Sequence, residues 1–157
     1  MEAAFGCDAE RNVQEEAADR EIRAADYEAL ARFRYAVRRY LAFAEAGAKS
    51  VGLTSQQHQA LLAIKAQTLK SDMTIGDLAA QLLIKHHSAV ELFGRLEKGG
   101  YARRSPDPED RRKVLIALTE TGEGVLAQLS ANNLQELRLI APAFTGLVGQ
   151  VEKLEAR

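Results

Sequence analysis

The sequence predicts a mainly α protein with one small β-hairpin, an α+β fold, on three observations. Residues 74–98 hold two short amphipathic runs separated by only a few residues. Gly99-Gly100 closes the second run, and glycine most readily takes the positive φ that ends a helix. Beyond it, the polar stretch Ser105-Pro106-Asp107-Pro108-Glu109-Asp110 forbids a helix and favours a turn. The apolar, β-rich run Lys113-Val114-Leu115-Ile116-Ala117-Leu118 is then the return strand of a hairpin. A helix-turn-helix followed by a hairpin whose tip carries Arg111, Arg112 and Lys113 is a winged helix.

In chain order, residues 1–24 are acidic and Ala-rich, with Phe5, Val13 and Ile22 too sparse for an apolar stripe. They are expected to form a partly mobile extension. Leu30, Phe33, Val37, Leu41 and Ala44 then recur three or four apart, the mark of a long amphipathic helix over 25–46 whose stripe needs a partner. Gly47, Ser50 and Gly52 read as a linker ending at Leu53. Thr54-Ser55-Gln56-Gln57 caps a helix reaching Gln67, with Leu61, Leu62 and Ile64 facing inwards. Residues 68–73 form a polar turn, at the end of which a winged helix has a short first strand. Thr74-Ile75-Gly76-Asp77 is close to a capping box and opens a helix carrying Ile75, Leu78, Ala79 and Leu82. The next helix begins between Lys85 and Ser88 and carries Ala89, Leu92, Phe93 and Leu96. After the hairpin, Thr119 is a good N-cap, and Val125, Leu126, Leu129, Leu134, Leu137 and Ile140 continue a long helix. Pro142 is expected to kink or end it, leaving Phe144, Leu147, Val148, Val151 and Leu154 on a terminal helix. Amphipathic helices at both ends of a chain can build a two-fold interface.

Net charge is −1 at pH 7, which excludes a uniformly basic nucleic-acid coat. Charge is segregated instead: residues 1–31 hold nine acidic and three basic side chains, residues 85–113 eight basic and five acidic. A local basic surface suffices for DNA, because the field near the site matters more than the total. The single Cys7 excludes an internal disulfide and a Cys-rich zinc site. No apolar run approaches a membrane span and the acidic N-terminus lacks the basic start of a signal peptide, so the cytoplasm is expected.

The residues Leu53-Thr54-x-x-Gln57, Leu78-Ala79, His87-Ser88-Ala89-Val90, Arg95-Leu96-Glu97-x-x-Gly100-Tyr101, Asp107-Pro108-x-Asp110-Arg111-Arg112 and Leu118-Thr119-x-x-Gly122 follow one another in the order and spacing of the MarR-family transcriptional regulators. The chain resembles that family from about Leu53 to Leu129, and the wing coupled to the downstream Leu-Thr-x-x-Gly is the discriminating part. The resemblance implies a winged helix-turn-helix with N- and C-terminal dimerisation helices. It divides the chain into an acidic extension (1–24), an N-terminal dimerisation helix with its linker (25–52), a DNA-binding domain (53–120) and C-terminal dimerisation helices (121–157). The implied function is that of a homodimeric regulator, most often a repressor, on a pseudo-palindromic operator in double-stranded DNA. In this family a small aromatic or phenolic anion, bound between the dimerisation helices and the DNA-binding lobe, commonly releases the DNA. Some relatives sense oxidants through an N-terminal cysteine, but Cys7 has an acidic setting with nothing basic to activate it and reads as an incidental thiol.

A recognition helix presents its N-terminal half to the major groove, which here offers Lys85, His86, His87, Ser88 and Glu91, with Arg95 a turn further on. Ser88 is alternatively a helix-start cap with Glu91 as its third-position acid. The chain departs from the family at Glu91, where an arginine is common. An acid facing phosphates costs affinity unless it accepts from a cytosine amino group or pairs with Arg95. By the family pattern Arg112 enters the minor groove and Asp110 orients it. Arg111 and Lys113 then serve phosphates, with Arg103 and Arg104 as weaker candidates. Arg39, Tyr40 and His58 are effector-pocket candidates because their segments flank the cleft that the family uses. Adjacent His86 and His87 diverge on a helix and make a poor chelating pair, so no metal and no cofactor is expected. No phosphate loop or nucleophile elbow is present, so the chain is not expected to be an enzyme. The competing reading is a winged-helix protein-interaction module that has lost specific DNA binding, supported by Glu91 and the near-neutral charge.

Overall fold

The elements run α1 (Ala24–Ser50), α2 (Ser55–Thr68), α3 (Ile75–Gln81), α4 (His86–Lys98), β1 (Ala102–Pro106), β2 (Val114–Leu118) and α5 (Glu120–Glu155). They are seen in a computed structural model that describes residues 22–110 and 112–155. The expectations on the acidic extension with Cys7, on Arg111 and on the Val151 and Leu154 side chains lie outside the described residues. By its contacts the chain divides into two compact units, Val37–Ala141 and a second holding the described residues up to Ala36 and from Pro142 onward.

Helix starts follow the sequence. The Thr54 side chain accepts from Gln57 N–H while Gln57 Oε1 accepts from Thr54 N–H at 2.9 Å, a complete capping box. Thr74 and Asp77 repeat it for α3, and the Thr74 hydroxyl, donating to Asp77 Oδ2 at 2.7 Å, and next the Thr74 N–H, donating at 2.8 Å, hold the Asp77 carboxyl below its ordinary pKa. The stops of α1, α3 and α4 share one geometry, in which the second residue past the cap bonds a carbonyl five residues back and the first a carbonyl three back. Leu53 N–H reaches Ala48 O with Gly52 at φ +78°, and Tyr101 N–H reaches Leu96 O with Gly100 at φ +76°. Between α3 and α4 the same bonds run from Ile84 N–H to Ala79 O and from Leu83 N–H to Ala80 O, and a leucine, Leu83, takes the positive φ of 54°.

The core of the larger unit gathers apolar faces from all the elements it holds. Leu61, Ile64, Met73, Leu78, Leu92, Phe93, Leu96 and Ile116 are its largest fully buried side chains. The hairpin is antiparallel with Ala102 opposite Leu118 and Pro106 opposite Val114. Its burial alternates weakly, so β2 supplies Leu115, Ile116 and Leu118 to the core while Arg103 and Arg104 on β1 stay exposed. In the second unit, Phe33 and Phe144 meet edge to face at 5.0 Å and Gln150 donates to the buried Asp26 at 2.7 Å.

Four expectations are corrected. Gly47 and Ser50 belong to α1 rather than a linker: Ser50 Oγ donates back to Gly47 O at 2.7 Å, and the helix ends at Ser50, with Gly52 in the turn just beyond it. Leu62 is half exposed rather than inward. No strand forms near Met73 among the described residues. One backbone bond, Ile116 N–H to Met73 O at 2.8 Å, stands in its place. Pro142 does not divide the C-terminal region into two helices, since α5 is continuous over 36 residues. Proline lacks the N–H for the fourth residue back, but Arg138 and Pro142 are both exposed, where water can satisfy the freed carbonyl.

Candidate nucleic-acid interface

Helix α4 separates its two jobs by face. Ala89, Leu92, Phe93 and Leu96 are buried, which anchors the helix on α2 and α3. His87, Glu91 and Arg95 follow one another at four-residue spacing on the opposite, exposed side, with His86 and Lys85 exposed at the start and Ser88 half-buried. The N-cap is Lys85, which makes no side-chain cap. Ser88 therefore sits inside the first turn, and the alternative of Ser88 as the helix-start cap is corrected. First-turn amides that no side chain caps are open to water or to a phosphate oxygen. Among the ion pairs of the described residues none joins Glu91 to Arg95, so Glu91 presents an uncompensated carboxylate on this face.

The wing loop is organised by an acid that the sequence pattern alone does not single out. Asp107 is buried, its Oδ1 accepts from Glu109 N–H at 2.8 Å and from Asp110 N–H at 3.2 Å, and its Oδ2 lies 3.6 Å from Lys113 Nζ. Asp107 N–H to Lys113 O and Lys113 N–H to Asp110 O close the loop. The backbone amides of Glu109 and Asp110 hold the Asp107 carboxyl below its ordinary pKa. An aspartate directly before a Pro-containing bend, where its side chain can accept from the N–H two residues on, is the signal that could have found it. Lys113 is thus tied to Asp107 as well as facing solvent.

At the tip, Asp110 Oδ1 accepts from Arg112 Nε at 3.2 Å and from Arg112 N–H at 3.1 Å, while Oδ2 accepts from Nη2 at 3.4 Å. The Arg112 side chain is otherwise 93% exposed, a cation held by one end and open at the other. Its guanidinium first, and its backbone N–H second, lower the Asp110 pKa. Arg103 projects from β1 without an ion pair among the described residues. Arg104 is engaged by its own domain instead: its guanidinium lies 5.1 Å over the Phe93 ring and 3.7 Å from Glu97.

The start of α5 locks onto the α4–β1 junction. Thr119 N–H donates to Tyr101 O at 3.0 Å, Thr119 Oγ1 donates to Gly100 O at 2.6 Å, and Gly122 N–H donates to Thr119 Oγ1 at 3.1 Å. A methyl group at Gly122 would overlap the Tyr101 carbonyl, so the Thr-x-x-Gly spacing is a close-approach requirement.

Within Val37–Ala141 a cavity of about 380 Å³ opens between α1, α2 and α5, walled by Leu41, Leu62, Leu134 and Leu137. It includes two of the expected effector residues, Tyr40 and His58. Arg39 is not among its walls and pairs with the buried Glu136 at 2.9 Å. Among the described residues no group of three or more His, Cys, Asp or Glu side chains is placed to hold a metal, and no helix is long and apolar enough to cross a membrane.

Comparison with known proteins bears on the same segments. The MarR family profile matches residues 51–113. The transcriptional activatory protein BadR of Rhodopseudomonas palustris is 38% identical over 74 residues, 47% of this chain and 42% of that protein. The chain spans about half the length of the curated relatives it matches. Among solved structures, apo wild-type MarR from E. coli is similar with a TM-score of 0.59 at 20% identity, over 87% of this chain and 95% of that one. CouR from Rhodococcus jostii, bound to p-coumaroyl-CoA, is similar with a TM-score of 0.56 at 25% identity, over 63% and 68%. The profile covers the helix-turn-helix and the wing tip, and the structural likeness extends over the flanking helices as well. The chain is similar to the MarR family over the segment that the profile matches.

Proposed function

We propose that the chain is a DNA-binding transcriptional regulator that acts as a homodimer on a pseudo-palindromic operator. The observation that carries this is the pairing of an exposed, uncapped α4 face with an Arg112 braced by Asp110 at the wing tip. Lys85, His86, His87, Ser88 and Arg95 would face the major groove, and Arg112 would enter the minor groove, where a narrow groove concentrates negative potential. Arg103, Arg111 and Lys113 would serve phosphates. Arg104 is a lesser contributor, because its charge is already shared with Glu97 and Phe93. Such a protein works in the cytoplasm, where its DNA is. The exposed apolar side chains Tyr27 and Leu30 on α1 and Val148 on α5 support a second copy as partner. The cavity beside His58 is the effector site, and CouR, similar over most of its length, is a ligand-bound relative. Ligand binding would favour a spacing of the two recognition helices that no longer matches successive major grooves. The proposed direction is repression, whereas the similar BadR is named an activator.

Titration with a duplex from the chain's own upstream region and with random duplex, at two salt concentrations, tests the reading. Specific binding with a steep salt dependence is expected. Salt-insensitive or absent binding to both duplexes would instead favour a protein-interaction module, with the exposed carboxylate of Glu91 as its reason.

A further inference from the structure

Glu91 puts a carboxylate where duplex DNA, the ligand proposed for α4, would repel it. Burial of Ala89, Leu92, Phe93 and Leu96 fixes the rotation of α4, and Glu91 lies roughly half a turn from Ala89, so its side chain points away from the core. It is exposed, and among the described residues no ion pair joins it to a cation. The other acid of α4, Glu97, faces Arg104 at 3.7 Å instead. Gly94 stands about one turn further along the same side. Its backbone is outside the left-handed region, and a Cβ there would meet nothing within 4 Å. The fold therefore does not ask for a glycine at that point, where alanine would make the stronger helix. The missing side chain leaves a shallow place beside Glu91 where a large partner can approach the helix closely.

We infer that Glu91 sets sequence specificity: it accepts from the N4 amino group of a cytosine in the major groove of each half-site, and Gly94 lets the helix come near enough for that bond. This role rests on the DNA-binding function proposed for α4. The major groove offers a carboxylate few partners. Guanine shows only acceptors there, and thymine an acceptor and a methyl group. The amino group of adenine lies beside its N7 acceptor, so cytosine alone shows a donor with no acceptor on the same base. Glu91 thus weakens binding to other sequences and recovers the loss only at cytosine, which sharpens discrimination rather than total affinity.

Selection from a random duplex pool by the full chain, with sequencing of the bound fraction, tests this. Selected sites should hold a cytosine at one fixed position in each half-site, and Glu91→Ala should lose the preference at that position alone. By anisotropy, Glu91→Ala should bind random duplex more tightly than the parent and the selected site more weakly. Tightening on both marks an acid that only repels phosphates, weakening on both a structural role, and either overturns the inference. Replacing that cytosine by 2-pyrimidinone, which lacks the amino group, should weaken the parent roughly five- to hundredfold and Glu91→Ala less than about twofold. Equal losses in the two proteins would overturn the inference as well. Gly94→Ala should bind the selected site more weakly while its thermal midpoint holds or rises. Binding equal to the parent's would mean that the helix stays clear of the base edges, against the inference. Salt-dependent binding with no preferred sequence would overturn the inference and leave DNA binding standing, whereas no binding to any duplex removes both.

Discussion

Leu83 carries backbone strain that nothing in its side chain offsets. Its φ of 54° lies in the left-handed region, which for an L side chain costs about 1–2 kcal/mol. At 93% exposure it recovers no burial in return. Gly52 and Gly100 occupy the equivalent position after α1 and α4 at no such cost. Leu83→Gly should therefore stabilise the fold, by roughly 0.5–1 kcal/mol after the added flexibility of glycine in the unfolded chain is subtracted. A thermal midpoint raised by about 1–4 °C would be the sign of it. Asp110 separates two models of the wing. Deleting an acid beside DNA helps if the wing is a diffuse basic patch, whereas it hurts if the acid positions Arg112. The three hydrogen bonds between them favour the second, so Asp110→Ala should weaken operator binding. Arg112→Ala should weaken it by roughly ten- to hundredfold. Operator affinity by fluorescence anisotropy measures both, and tighter binding by Asp110→Ala would discard the positioning role. His58 links pH to stability with a definite sign. Burial lowers its pKa in the folded state below the ordinary 6.5, so as pH falls the unfolded chain takes the proton first. Its contribution is complete above that ordinary value and drains away beneath it. Urea midpoints at about pH 8 and about pH 5.5 should thus differ less in His58→Leu than in the parent. His86 and His87, being exposed, are common to both proteins.

The joint between α4, β1 and α5 shows how a short motif encodes an element's placement. Gly122 lets the first turn of α5 press against the Tyr101 carbonyl, and Thr119 ties the same turn to Gly100. Gly122→Ala forces that backbone apart and should cost about 1–3 kcal/mol despite the better helix propensity of alanine. Chemical denaturation checks it, and a neutral or stabilising result would mean the junction yields freely. Elements whose cues are local were legible in the sequence: the capping boxes at Thr54 and Thr74, the stop at Gly100, the hairpin and the α4 core face all stand where the pattern put them. Features that depend on what lies across the fold were not. Gly47 reads as a breaker, yet α1 runs through it, with Ala48 fully buried beside it and Leu129 Cδ2 3.6 Å from where a Cβ would stand. Pro142 reads as an end, yet its exposed side tolerates the missing bond. Leu62 fits an inward helical spacing but borders a cavity, and Arg104 looks free but lies on Phe93. Asp107 was visible as a turn residue, but its burial and double amide capture are tertiary facts.

At the scale of the molecule, the apolar surface of the flanking helices asks for a second chain. On α1, Tyr27 is 64% exposed and Leu30 47%; on α5, Val148 is 56% exposed. Scattered apolar residues are normal on a monomer, but these belong to helices whose stripes a single small domain leaves uncovered. A two-fold operator also rewards a two-fold protein, because one bound recognition helix then places the other near its own half-site. If these faces form the dimer, a charge placed on them faces its own copy, or nearly so, across a symmetric contact. Leu30→Glu and Val148→Glu should each shift the chain from dimer towards monomer at micromolar concentration in sedimentation. Neither lies near α4 or the wing in sequence, so the effect on DNA should come through assembly alone. Operator affinity should fall in step with the monomer fraction, while the weak affinity for an isolated half-site should remain that of the parent. A parent chain that sediments as a monomer with full operator affinity would rule the dimer out.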